Sequence, residues 1–265
     1  MKIVMLATHA TESLDNMIAS VERARIHPVK LGWGEQWKGW KWRLEKYLEY
    51  CNLITKEDPE EILVFVDAFD VLCVRKDVNY NFHSAFNSFY SDIVFSSEWW
   101  CGSAKNCGST HTFHKGTMCL LNEMDLTNDN KNVNVNVGFV CGKAHALAKM
   151  YSDVLAQTQA LKADFDDQKS IADWIDSDLS RTLTLSLDRK GILCKTIHVY
   201  DSVSSIDTLP FFVHFPGPML KIGLFPHYNL NARAILGKKA KPLVDHYHLV
   251  FGIFCIFVIS FVLSS

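Results

Sequence analysis

Residues 62–66, Ile-Leu-Val-Phe-Val, form an unbroken apolar run that stops at Asp67, and Asp70 follows before the chain turns apolar again. A strand with one solvated face alternates apolar and polar residues. A continuous run instead suits a strand buried on both faces, as in parallel sheets covered by helices. In such sheets ligands sit outside the carboxyl ends of the strands. Asp67 and Asp70 occupy such an end.

The rest of the chain supplies the helices and strands that this arrangement needs. Ile3–Ala7 reads as a strand with the loop Thr-His-Ala-Thr-Glu-Ser behind it. Residues 34–50 carry Trp40, Leu44, Tyr47 and Leu48 at helical spacing. Asp58-Pro59 breaks the chain before the strand at 62–66. Residues 80–90 read as a helix and 92–98 as a short buried strand. Residues 133–140, Val-Asn-Val-Asn-Val-Gly-Phe-Val, begin with strict alternation and contain one glycine. Two further helices are expected over 144–161 and 168–179, and a strand over 183–188. Residues 209–218 read as a strand that stops at His214 and enters a Pro/Gly turn. Strands alternating with helices predict an α/β layer fold with a mixed, mostly parallel sheet.

The chain has 265 residues, 48% of them hydrophobic, enough for a real core in one large domain. Lys and Arg number 27 against 29 Asp and Glu, with no basic block, so nucleic acid is not expected as a partner. The eight cysteines fall at irregular intervals, and Cys73, Cys141 and Cys194 lie inside apolar runs as expected of buried free thiols. With no Asn-x-Ser/Thr sequon, this leans towards a reducing compartment. The first residues lack the pattern of a signal peptide. Residues 248–265 carry no charged side chain and follow Lys238, Lys239 and Lys241. That length is just enough to span a bilayer, and the lysines favour a cytosol-facing domain, with a lumenal orientation as the alternative. The expected organisation is a catalytic domain over 1–235, a basic linker over 236–247 and a membrane anchor over 248–265.

Asp67 and Asp70 suit two roles. Aspartate after a strand caps turns. Two carboxylates three residues apart also face one hard cation, and oxygen ligands suit Mg²⁺ or Mn²⁺, which complete their shells with phosphate and water. Such an ion would stabilise the charge developing on a diphosphate leaving group. His214, at another strand end, is either a polar core residue or a nitrogen ligand more compatible with Mn²⁺. No glycine-rich phosphate cradle of either common type is present. Cys101, Cys107, His111 and His114 lie close together, but their spacing departs from that of zinc sites.

Several segments together resemble the glycosyltransferase domain of the procollagen-lysine hydroxylase/glucosyltransferase proteins and the related collagen galactosyltransferases. They are Met5–Ser13, Val29–Gly39, Lys41–Tyr50, Phe65–Leu72, Val94–Cys101, Phe165–Gln168 and Asp207–Pro218. The segment Phe-Val-Asp-Ala-Phe-Asp-Val-Leu is similar to that family's variant Asp-x-x-Asp metal motif. The resemblance implies a GT-A fold and a UDP-sugar donor held through Mn²⁺ or Mg²⁺. It implies metal ligation by Asp67, Asp70 and His214. It implies nucleotide contacts from Thr8, Lys41, Phe69 and Asp67, and a sugar and acceptor pocket at Asp166 and Asp167. The expected reaction transfers glucose or galactose from UDP-glucose or UDP-galactose to a hydroxyl of a protein or glycan, of the hydroxylysine type. The residues themselves allow helix capping at Asp166 and Asp167 instead. The family's Gly-Asn-Gly after the histidine is Phe215-Pro216-Gly217 here, which motivates an alternative, an inactive membrane-tethered relative that binds nucleotide. A metal-dependent hydrolase using the same acids is a third reading.

Overall fold

The computed structural model describes residues 1–98, 134–157, 165–197 and 209–216. The strands are β1 (Lys2–Leu6), β2 (Val29–Leu31), β3 (Ile62–Val66), β4 (Val71–Cys73), β5 (Ile93–Glu98), β6 (Asn134–Lys143), β7 (Leu185–Asp188), β8 (Cys194–Thr196) and β9 (Phe212–His214). The helices are α1 (Glu12–Glu22), α2 (Trp40–Glu57), α3 (Val78–Asn87), α4 (Ala144–Gln157) and α5 (Asp167–Ile175).

Among the described residues all nine strands join one sheet, ordered β2-β1-β3-β6-β5-β8-β9-β4, with β7 also paired to β5. Only β6 and β4 run against the rest. The sheet is therefore mixed and mostly parallel, as the sequence predicts. The carboxyl ends of β1, β3, β5 and β9 share an edge with the starts of β4 and β6.

β3 shows why its run is unbroken. Leu63 and Phe65 pack on one side of the sheet with Trp42, Leu44, Tyr47 and Ile54 of α2 and with α4 and α5. Ile62, Val64 and Val66 pack on the other side with Leu14, Met17 and Val21 of α1 and Phe82 and Phe86 of α3. Helices cover both faces, so neither face of β3 has room for a polar residue.

Sheet order also dictates shape. β4 follows β3 after four residues, yet five inter-strand steps separate them in the sheet. Laid flat, five steps would span about 24 Å. The turn reaches at most ~17 Å. The sheet must curl until β4 returns beside the end of β3.

Several boundaries differ from the sequence reading. The loop expected after β1 contains the start of α1, whose Thr11 side chain accepts from the Leu14 amide at 3.1 Å. The helix expected from residue 34 starts at Trp40, because Gly32, Gly34 and Gly39 all have left-handed φ, at +72°, +77° and +97°. Trp40 then lies on the exposed side, and the buried stripe is Trp42, Leu44, Tyr47, Cys51 and Ile54. β2 and β8 are short strands with no periodicity to reveal them. Cys51, Cys73, Cys141 and Cys194 are buried free thiols. Among the described residues no helix is long and apolar enough to cross a membrane. The expected anchor at 248–265, the linker at 236–247 and the Cys101–His114 group lie outside the described residues.

Asp92, just before β5, bolts β7 to the sheet. Its carboxylate accepts from the Thr184 amide (2.9 Å) and hydroxyl (2.7 Å), with Lys143 at 3.2 Å. Burial opposes its ionisation, but the Thr184 donors and Lys143 outweigh burial and hold the carboxyl below its ordinary range. Its stabilising contribution is therefore full above the unfolded value near ~3.9 and is lost as pH falls through the folded one. Urea midpoints measured from neutral to acid pH should fall more steeply for the wild type than for Asp92→Asn. Parallel curves would show that Asp92 contributes nothing.

Candidate active site

The Asp67–Asp70 turn is held at both ends. The Asp67 amide donates to the Gly138 carbonyl on β6 (2.9 Å), and the Phe215 amide after β9 donates to the Asp70 carbonyl (2.8 Å). β9 pairs Val213 with Leu72 and His214 with Val71, which sets His214 beside the turn. One ligand atom from each of Asp67, Asp70 and His214 lies within 4.8 Å of the others. His214 Nε2 is 3.5 Å from Asp70 Oδ2 and 3.9 Å from Asp67 Oδ2.

These distances are too long for ordinary hydrogen bonds. Both ring nitrogens of His214 are buried without a hydrogen-bond partner. An unpartnered buried imidazole is costly, and so is a pair of close carboxylates. A divalent cation between the three would relieve both, and two carboxylates with one imidazole suit Mn²⁺. The donor set fits such an ion. Burial lowers the affinity of His214 for a proton, but Asp70 and then Asp67 outweigh it and raise its pKa above the ordinary value.

Gly138 makes room for the imidazole. A Cβ built there would lie 2.2 Å from His214 Cε1 and 2.7 Å from Nε2. The glycine sits in a bulge, since the register between β5 and β6 jumps from Phe95–Val140 to Ser96–Asn136. Backbone groups that the bulge removes from the ladder find other partners. The Gly138 amide donates to Asn136 Oδ1 (2.9 Å), and its carbonyl accepts from Asp67. Asn136 also donates to Glu98 Oε2 (3.1 Å), and Gln168 of α5 donates to Glu98 Oε1 (2.8 Å).

Asp67 faces two ways. Its Oδ1 accepts from Arg43 on α2 at 2.6 Å, while its Oδ2 faces His214. Arg43 is 6% exposed and its other terminal nitrogen pairs with Asp167. Its guanidinium lies 4.7 Å from the Trp40 ring centroid. Burial opposes the charge on Arg43, but Asp167 and Asp67 overcome it and hold the guanidinium protonated. Desolvation pushes both Asp67 and Asp167 above the ordinary carboxyl value against the pull of Arg43.

The other expected site residues are spread around this centre. Asp166 is the N-cap of α5 and accepts from the Lys169 amide at 3.0 Å, so the capping reading is correct for it locally. Asp167 is buried and accepts from the Gln168 amide as well as from Arg43. Phe69 is 41% exposed in the turn, with its ring 6.3 Å from that of His9. Thr8 Oγ1 bonds His9 Nδ1 at 2.9 Å. Lys41, half-buried in the first turn of α2, lies two residues before Arg43 and so leaves the helix in another direction. The structure thus unites Asp67, Asp70 and His214 and ties in Asp167, but it shows no direct bond from Thr8 or Lys41 to this group.

The family model described as PLOD GT domain matches residues 1–208. The chain belongs to that glycosyltransferase family. The match takes in both aspartates of the turn, Arg43 and Asp166-Asp167. His214 lies beyond it and joins the site through its strand pairing. Among solved structures, a glycosyltransferase involved in the glycosylation of the major capsid of PBCV-1 is similar at TM-score 0.52 and 12% identity, covering 86% of this chain and 98% of that one. This likeness supports a GT-A-like fold for the PLOD-type domain. Protein A197 from STIV is similar at TM-score 0.37 and 14% identity, over 71% of this chain and 83% of that one, too distant to bear on the argument. No curated protein matches.

Arg43 and Gly138 are the site residues that sequence reasoning missed. Arg43 left a signal: it falls between Trp42 and Leu44, one turn before Tyr47, on a helix whose apolar face must be buried. A charge there needs a partner. Gly138 left one too, by ending a strict alternation, the mark of a bulge or a close approach.

Gly138→Ala should destabilise the domain by about 1–3 kcal/mol, read as a shift in the urea midpoint, because the imidazole or β6 must move. An unchanged midpoint would mean that His214 is not fixed against this backbone.

Proposed function

We propose that this PLOD-type domain transfers a hexose, glucose or galactose, from a UDP-sugar to a hydroxyl of a protein or glycan acceptor, of the hydroxylysine type. The convergence of Asp67, Asp70 and an imidazole whose ring nitrogens have no hydrogen-bond partner supports the reading most. Family membership supports a nucleotide-sugar donor.

Asp67, Asp70 and His214 would hold the divalent cation, Mn²⁺ or Mg²⁺. Bound there, it would neutralise the diphosphate and make it a better leaving group. The exposed ring of Phe69 offers a stacking face for the uracil, with Thr8 and Lys41 as further nucleotide contacts. Asp166 and Asp167 stand at the N-terminus of α5, where they would orient sugar hydroxyls. Arg43 and Glu98 are buried beside this edge, where charge interactions are stronger than in water. The uncharged stretch 248–265 supports a membrane tether through a C-terminal helix.

Hydrolysis of UDP-glucose and UDP-galactose, with manganese and after its removal by chelation, tests this reading. At least one sugar should turn over only with the metal, and Asp70→Asn should lower that rate roughly 100-fold or more. Failure of both donors, with UDP binding that Asp70→Asn leaves unchanged, would sink the proposal. Nucleotide binding without turnover would favour the inactive, nucleotide-binding alternative.

A further inference from the structure

We infer that Arg43 is a positioning residue that sets the metal-binding geometry of Asp67 by clamping it to Asp167. The inference rests on the reading of Asp67, Asp70 and His214 as a cation site. Arg43 holds two carboxylates from different parts of the fold, one at the end of β3 and one at the start of α5, with one terminal nitrogen on each. A carboxylate of Asp67 free to rotate could present either oxygen, or both, to an ion. Arg43 occupies Oδ1 at 2.6 Å, which leaves Oδ2 facing His214.

The orientation of the guanidinium is itself informative. Its Nε is buried without a hydrogen-bond partner, so the side chain is not arranged to satisfy all of its donors. The two ion pairs decide its position. Packing against Trp40 and the buried Tyr47, with ring centroids at 4.7 Å and 5.9 Å, keeps the fork in place. The planar fork of arginine can grip two carboxylates at fixed angles, whereas the ammonium of lysine is a point charge on a flexible stem. Outer partners of metal ligands, when removed, weaken metal binding about 10–100-fold. Asp167 is not one of the three converging ligands; it reaches this site through Arg43, and its charge also acts on Asp67 directly.

Titration of manganese into the apo protein, with free Mn²⁺ followed by electron paramagnetic resonance, tests the clamp. Arg43→Lys should bind manganese about 10–100-fold more weakly. Asp167→Asn, nearly isosteric, should weaken it in the same direction but less, and Arg43→Gln, which keeps a planar donor group, serves as the second test if Arg43→Lys fails to fold. Near-ultraviolet circular dichroism confirms that each variant is folded. A residue that only stabilised the fold would lower the melting temperature and leave the manganese affinity of the folded protein unchanged. Wild-type affinity in the folded variants would overturn the clamp while leaving the cation site intact. A wild-type protein that binds no manganese would overturn the cation site and the clamp with it.

Discussion

The four residues from Asp67 to Asp70 join two strands that the hydrogen-bond order of the sheet sets five steps apart. The rest of the architecture follows from that connection. A short turn cannot span a flat sheet, so the sheet curls, and the curl delivers β9 to β4 and His214 to the turn. The two acids are anchored through their backbone to β6 on one side and to the end of β9 on the other. Their side chains are left to point at one another and at the imidazole. A site made this way is rigid because its elements are strand ends within one hydrogen-bonded sheet.

Hydrogen bonding then distinguishes the acids of the candidate site from an acid that serves a turn. Asp188 is as buried as any acid here, yet its oxygens accept from the amides of Ile192, Leu193 and Cys194 at 2.6–3.0 Å. Burial raises its carboxyl above the ordinary value, outweighing those amides, which favour its charge. Asp67 receives one strong donor, Arg43, and otherwise faces Asp70 and His214. The buried side-chain atoms without partners among the described residues are Arg43 Nε, Thr196 Oγ1 and the two nitrogens of His214. Thr196 is the strand partner of His214. Unsatisfied polarity is concentrated at this edge, where a charged ligand would restore the balance.

Long-range partners account for most of what was not legible in advance. The strand at 62–66, its burial on both faces and the position of the acids could be read from one stretch, because a period of one apolar residue per position leaves few alternatives. The start of α2 could not, since three glycines with positive φ delay a helix that composition alone would begin earlier. The short strands β2 and β8 carry no pattern and form only through pairing with β1 and with β5 and β9. Arg43 looked like one more charge on an amphipathic helix until two acids, 24 and 124 residues away in sequence, came to meet it.

The amino-acid sequence on its own determined the local chemistry: a doubly covered strand ending in two acids, a histidine at another strand end, an aspartate pair opening a helix, and the ordered motifs of one glycosyltransferase family. Those are properties of neighbours along the chain, where spacing and side-chain type suffice. Tertiary structure alone decided which oxygen of Asp67 faces the histidine, that an arginine ties the turn to α5, and that β6 bulges at a glycine to admit an imidazole. Each of these depends on distances between segments far apart in sequence. Such distances are set only when the sheet curls and its two apolar faces are covered.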